Sequence, residues 1–235
     1  MRGILRMIPS SYGGGGIVVN PLWDGLHGYW NAEDNPNDSK GTNNGVLYNG
    51  ATYGTGIIND GFFFEGVNDY LGFGTNFNFD GTTPFSFNLW INPTTPNNNV
   101  IINQWSVMNT GMICFLFGGK LRFALSNNVS TNMLRVETVS VISSGMQMLT
   151  ITYDGSQLAS GLKIYNDSSL MTTTTLNNTL TAPIDLTPLF RLGVPPPGLT
   201  YYEGIIDEFA VFINELTQSE ITELYNGGEG LQYIP

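Results

Sequence analysis

Two adjacent carboxylates, Asp207 and Glu208, interrupt one of the most apolar runs of the chain, GIIDEFAVFI (204–213). Alternation along an extended segment places Ile205, Asp207, Phe209, Val211 and Ile213 on one face and Ile206, Glu208, Ala210 and Phe212 on the other. A carboxylate in an apolar row is costly unless it meets a cation, backbone N–H donors or a metal ion. With 8 Lys and Arg among 235 residues, a metal or a set of amides is easier to supply than a salt bridge. The early loop NAEDNPNDSKGTNNG (31–45) holds Glu33, Asp34 and Asp38 among Asn and Gly, and so offers partners for Asp207. Calcium takes about six to eight oxygens of these kinds, although the spacing does not match the helix-loop-helix calcium pattern.

Other catalytic chemistry is poorly supplied. Retaining cleavage of a glycosidic bond uses two carboxyl groups about 5–5.5 Å apart. Glu203 and Asp207 share a face but stand four residues apart, about 13 Å at ~3.3 Å per residue. Asp207 and Glu208 point to opposite faces, and no other strand carries two acids at a suitable spacing. His27 is the only histidine and Cys114 the only cysteine, which excludes a histidine-based triad, a zinc cluster and an intrachain disulfide. His27 reads as a structural residue and Cys114, in MICFLF (112–117), as a buried small hydrophobe. The run GGGG (13–16) lacks the Lys and the strand-to-helix context of a phosphate loop.

The elements that hold these residues are strands. Length, 41% hydrophobic and 12% aromatic residues, and 29 Gly suit one large all-β domain. Short runs bounded by turn residues predict strands at 26–30, 46–48, 57–64, 69–73, 85–92, 99–105, 112–117, 120–125, 134–142, 147–153, 161–166, 189–192 and 202–213. The pattern is that of an antiparallel β-sandwich. In FSFNLWIN, Phe85, Phe87, Leu89 and Ile91 face a core while Ser86, Asn88, Trp90 and Asn92 face away. Two readings of Trp90 stand there: it lines a ligand groove, or a loop covers it. One short helix follows the last strand. Thr217 and Glu220 form a capping box, Leu216 and Ile221 a hydrophobic staple, and Gly227 ends it, so that it covers one end of the sandwich.

Residues 1–24 read as an arm with a glycine joint, residues 25–226 as the domain and 227–235 as a tail. The arm is either a free tail or a docking segment for a larger assembly. No apolar run is long enough for a signal peptide or a membrane span. The net charge of −11, with no Lys/Arg cluster, argues against nucleic acid as a partner and is compatible with divalent cations.

Six segments, in order, resemble the laminin G-like, concanavalin A-like lectin/glucanase domain. They are GYWNAE (28–33) with DSKGTNNG (38–45), FFFEGVNDYLGFG (62–74), FSFNLWINP (85–93), LTITYDG (149–155), LKIYND (162–167), and the closing GIIDEF with LTQSEI (204–221). Glu65 stands where Asp is usual, MQM (146–148) replaces a Trp with His or Tyr, and NDSS (166–169) replaces a second Gly turn. The resemblance covers about residues 25–226 and implies a concanavalin A-like jelly roll. In many relatives a structural calcium ion ties the early Asp loop to the closing Asp. Here that implicates Asp38 and Asp207, with Asn43 as a further ligand.

The resemblance also implies carbohydrate binding by rings and by Asn or Asp side chains, for which Asn68, Asp69, Trp90, Trp105, Tyr201 and Tyr202 are the candidates. An arm coupled to such a domain resembles bacteriophage virion proteins such as head decoration proteins, head fibres and tail adhesins. The expected function is a non-catalytic binding or structural module on a virion, attaching to glycans on a host surface, with other virion proteins and further copies of itself as partners. The alternative is a glycoside hydrolase, or a carbohydrate-binding accessory domain of a secreted enzyme, located outside the cell or on its surface.

Overall fold

A computed structural model describes residues 20–74, 77, 79–106, 110–184 and 189–235. Most of the arm therefore lies outside the described residues. Among the described residues, sixteen strands form two antiparallel sheets of eight. The first contains β1 (Leu26–Trp30), β3 (Thr52–Thr55), β4 (Asp60–Glu65), β6 (Phe85–Pro93), β11 (Gln147–Tyr153), β12 (Leu162–Asn166), β13 (Ser169–Leu170) and β16 (Glu203–Phe212). Its order is β13-β12-β11-β6-β16-β4-β3, with β1 also paired to β16. The second contains β2 (Val46–Tyr48), β5 (Tyr70–Gly72), β7 (Val100–Trp105), β8 (Gly111–Phe117), β9 (Lys120–Asn128), β10 (Asn132–Thr138), β14 (Thr173–Asn178) and β15 (Arg191–Leu192). It runs β14-β10-β9-β8-β7-β15-β5-β2. The expected jelly-roll sandwich is the fold.

Between the sheets lies an aromatic core that includes Trp30, Phe62, Phe87, Phe123, Phe190 and Phe209, each fully buried. Alternation on β6 holds as expected: Phe85, Phe87, Leu89 and Ile91 enter this core. The opposite face of the same sheet is not open. Trp90, Met148, Ala210 and Phe212 form a second cluster there with Leu216, Ile221 and Leu224 of the C-terminal segment. The helix α1 (Gln218–Tyr225) thus covers a sheet face rather than an end. Leu22, Trp23, Leu231 and Tyr233 pack on this cluster as well.

Thr217 accepts the N–H of Glu220, and the Glu220 carboxylate accepts the N–H of Thr217 at 2.7 Å. The left-handed stop comes at Asn226, one residue before Gly227. Removing the cap with Thr217→Ala is expected to cost about 1 kcal/mol, read as a melting temperature lower by about 2–4 °C.

Three strands escape the sequence pattern, β3, β13 and β14, and all three are sheet edges. An edge strand needs no continuous apolar face, and TTTLNN (173–178) has none. Two expected strands lose three or more residues at one end. The run 134–142 stops at Thr138, whose hydroxyl accepts the N–H of Leu121 and donates to the Ser140 carbonyl, turning the chain. The run 57–64 begins at Asp60 because the N–H groups of Ile57 and Ile58 are taken by the Asp207 carboxylate.

Candidate functional site

Strand β16 lies between β6 on one side and two different strands on the other. Residues 203–206 pair with β4, and residues 209–212 pair with β1. Asp207 and Glu208 fall at the junction, where one extra residue bulges from the strand between Asp207 and Ala210. Glu208 takes a left-handed backbone, φ +50°. The bulge reverses the alternation: Ile206, Phe209 and Val211 all enter the inter-sheet core, while Ala210 and Phe212 face the outer cluster. Asp207 does not share a row with Phe209 and Val211, as strict alternation had placed it.

Asp207 is fully buried and accepts three backbone N–H groups, from Ile57 at 2.9 Å, Ile58 at 3.2 Å and Glu208 at 2.7 Å. Gly56 permits this approach, since a Cβ there would stand 2.3 Å from the Asp207 Oδ2. Burial pushes the Asp207 pKa up to about 7 against the pull of these donors, with the charge of Glu33 adding to the rise. Glu208, 2% exposed, has no hydrogen-bond partner on either carboxyl oxygen, and burial alone holds its pKa well above the ordinary range.

Asp38 is satisfied separately. Its Oδ1 accepts the N–H of Tyr29 and Lys40, and its Oδ2 the N–H of Asn43, at 2.9–3.1 Å. The Asn43 carbonyl accepts the indole N–H of Trp30. The implied calcium ligands Asp38, Asn43 and Asp207 therefore share no donor, and each carboxylate is occupied by its own amides. Among the described residues no group of three His, Cys, Asp or Glu side chains is placed to hold a metal. The residues present do not fit one ion bridging the early loop to the last strand. Glu33, not Asp38, is the early acid whose charge reaches Asp207.

The ligand candidates divide by burial. Trp90, 3% exposed, is stacked on Tyr225 at 5.7 Å and lies beneath α1. Tyr202, fully buried, packs edge-on to Phe64 and donates its hydroxyl to the Ile205 carbonyl at 3.0 Å. Asp69 is fully buried and accepts the N–H of Glu65 and Gly66 within its turn. These three hold the fold and are withdrawn from a surface ligand. Trp105 and Tyr201 are half-buried, Trp105 against the Val100 cluster and Tyr201 with its carbonyl accepting from Asn99. Asn68 is exposed in the β4–β5 turn, its carbonyl accepting from Asn49. His27 sits edge-on to Phe77 at 5.8 Å, and Cys114 is buried with its thiol pKa pushed up by burial.

An open groove lies elsewhere, on the outer face of the second sheet at its β2 edge. Leu47, Leu71 and Leu192 point inward, so their neighbours Val46, Tyr48, Tyr70, Gly72 and Arg191 point out. The register sets Val46, Gly72 and Arg191 side by side across three strands. Gly72 has no side chain and the Tyr48 ring leans over it, so that a Cβ there would stand 3.2 Å from the Tyr48 Cε2; the groove is floored by Gly72 and narrowed by Tyr48. Tyr48 and Tyr70 close one end, stacked at 4.5 Å and 10°. The Arg191 guanidinium lies 5.8 Å from the centre of the Tyr70 ring. The cavity is 330 Å³, with Asn44 and Leu189 on its rim. Sequence reading missed it because residues 46–48, 70–72 and 191 meet only through strand pairing. The available signal was local: VLY and YLG each put two residues of a three-residue strand on one face.

The model of the laminin G-like family described as the concanavalin A-like lectin/glucanases superfamily matches residues 64–222, more than half of the chain. The chain belongs to this family. Among solved structures, this laminin G-like domain is similar to the binding domain of Paraclostridial Mosquitocidal Protein 1, with a TM-score of 0.67 and 16% identity over 88% of this chain and 53% of that one. It is similar to the botulinum neurotoxin serotype D binding domain, with a TM-score of 0.66 and 17% identity over 88% and 53%. A serotype D ligand binding domain in complex with N-acetylneuraminic acid gives 0.62 and 16% over 87% and 51%. The laminin G-like chain thus spans about half the length of these solved domains. No curated protein matches its sequence significantly.

Proposed function

We propose that this laminin G-like domain is a non-catalytic carbohydrate-binding module and that the groove floored by Gly72 is its sugar site. The observation that carries the reading is the groove itself: an exposed tyrosine ring stacked on a half-buried one, beside a glycine floor and a cation, on the face of a sandwich from a lectin family. Its volume is at the small end of the range for ligand pockets, which suits one sugar ring. A ring offers its CH face to Tyr48 and its hydroxyls to Asn44 and the rim. The sialic acid bound by a structural neighbour supports the ligand class by analogy only.

Hydrolysis is disfavoured by burial. Asp207 and Glu208 are 0% and 2% exposed, so no glycosidic bond reaches them, and the groove is lined by no Asp or Glu. In the setting suggested by the arm, the module holds a bacteriophage particle at a glycan-coated host surface. Among the described residues no helix is long and apolar enough to cross a membrane.

A glycan array with the wild-type chain and Tyr48→Ala tests the reading. Tyr48 is 41% exposed on an edge strand, so its loss costs little stability. Removing one stacking ring is expected to weaken glycan binding at least about tenfold. Equal binding by both chains places the sugar elsewhere, and an array silent for both removes the carbohydrate reading.

A further inference from the structure

The groove has a polarity opposite to that of the molecule around it. The chain carries 19 acidic and 8 basic residues, yet the lining of the groove contains Arg191 and no carboxylate. Among the described residues, Lys120 and Arg122 share Glu137 and Lys163 pairs with Glu215, while Lys40 and Arg135, which form no ion pair, do not line the groove. Arg191 has no such ion pair; its contact is the face of Tyr70. A guanidinium on a ring keeps its charge and leaves N–H edges for a planar anion.

Resting on the carbohydrate reading of this groove, we infer that it selects an acidic sugar, a pyranose bearing a carboxylate, with Arg191 binding that carboxylate. The register supplies the geometry. Arg191 stands on one side of Gly72, Val46 on the other and the Tyr48–Tyr70 stack at the end. A ring seated in the groove beside the overhanging Tyr48 ring, toward Gly74, lies with its apolar face toward Tyr48 or Val46 while a ring carboxylate reaches the guanidinium. Arg and carboxylate pair through two parallel N–H···O bonds, which a neutral hydroxymethyl group in the same place cannot make. The overall charge of −11 opposes the approach of an acid, but beyond about 8 Å it is screened at physiological ionic strength, whereas contact with Arg191 is not.

Two sugars that differ only in the carboxylate test the inference: methyl β-D-glucuronide and methyl β-D-glucoside, titrated into the full chain at pH 7 and followed by NMR, with N-acetylneuraminic acid as a second acidic probe. At least one acidic probe is expected to bind about tenfold or more tightly than the glucoside. Arg191→Gln should remove that preference. Gly72→Val, whose Cβ would press on the Tyr48 ring at 3.2 Å and displace it from the groove, should weaken acidic and neutral sugars alike. The wild-type comparison stands even where a variant fails to fold. Equal binding of acidic and neutral probes, or an acid preference that survives Arg191→Gln, overturns the inference and leaves the carbohydrate reading intact. A groove that binds none of the probes, in a chain silent on the glycan array, overturns both.

Discussion

Asp207→Ala is expected to lower stability by about 3 kcal/mol. The substitution leaves three backbone N–H groups without their acceptor, those of Ile57, Ile58 and Glu208, in a fully buried place. Each dry, unpartnered donor costs about 1–3 kcal/mol, and water entering the vacated volume returns part of the sum. For a chain of this size that is a fall of about 6–12 °C in melting temperature. Asp207→Asn keeps one acceptor oxygen but presents an amide N–H₂ to the remaining donors, so its loss should be intermediate. Thermal unfolding of the three chains checks this. A change for Asp207→Ala within about 0.5 kcal/mol would show that the loop at residues 56–59 finds its hydrogen bonds without the carboxylate.

Glu208→Gln should do the reverse at alkaline pH and stabilise the protein. Glu208 is buried, holds no hydrogen-bond partner and has a pKa raised well above 4.5 by burial. The folded state therefore binds the proton more tightly than the unfolded chain. The stability gained from that proton is fully present below about pH 4.5 and is lost as pH rises toward the folded pKa, at about 1.4 kcal/mol per pH unit. Asp207 contributes in the same direction, raised from its ordinary value of 3.8 up to about 7. The wild type should thus melt lower at pH 8 than at pH 5. Falling net charge near the sequence pI of 4.2 adds to this trend, so the informative quantity is the difference between the two chains. Glutamine carries no proton to lose: the melting curves should converge at pH 5 and separate at pH 8, with Glu208→Gln the more stable. A variant destabilised equally at both values would show that the charged carboxylate has a partner which the fold does not reveal.

Much of the architecture was legible because it rests on local rules. Phe85, Phe87, Leu89 and Ile91 declare a core face by period-two spacing, and Thr217 with Glu220 declares a helix start within one turn. What the chain does not write locally was missed. The bulge at Glu208 has no residue signature, since glutamate has no special claim on φ +50°. It is set by the change of partner strand from β4 to β1, and it alone decides which residues of 207–212 share a face. Trp90 reads either as lining a groove or as covered, and the choice falls to α1, 128 positions further on, where Leu216 just before the helix and Ile221 and Tyr225 within it join the cluster over Trp90. The groove is a product of register: Val46, Gly72 and Arg191 come from three separate strands and line up only when β2, β5 and β15 are paired. Composition gave acids their prominence, and Asp38, Asp69, Asp207 and Glu208 proved to be interior. The site that remains open is aromatic and cationic.

The most direct test of a sugar site in this groove is to map where a glycan lands. In a ¹⁵N-labelled chain titrated with the strongest glycan from the array, the largest amide shifts should fall on 46–48, 70–74 and 189–192, with Tyr48 and Gly72 among the greatest. Shifts gathered instead along β16, at the α1 face or in the 31–45 loop would contradict the assignment, however tightly the glycan binds.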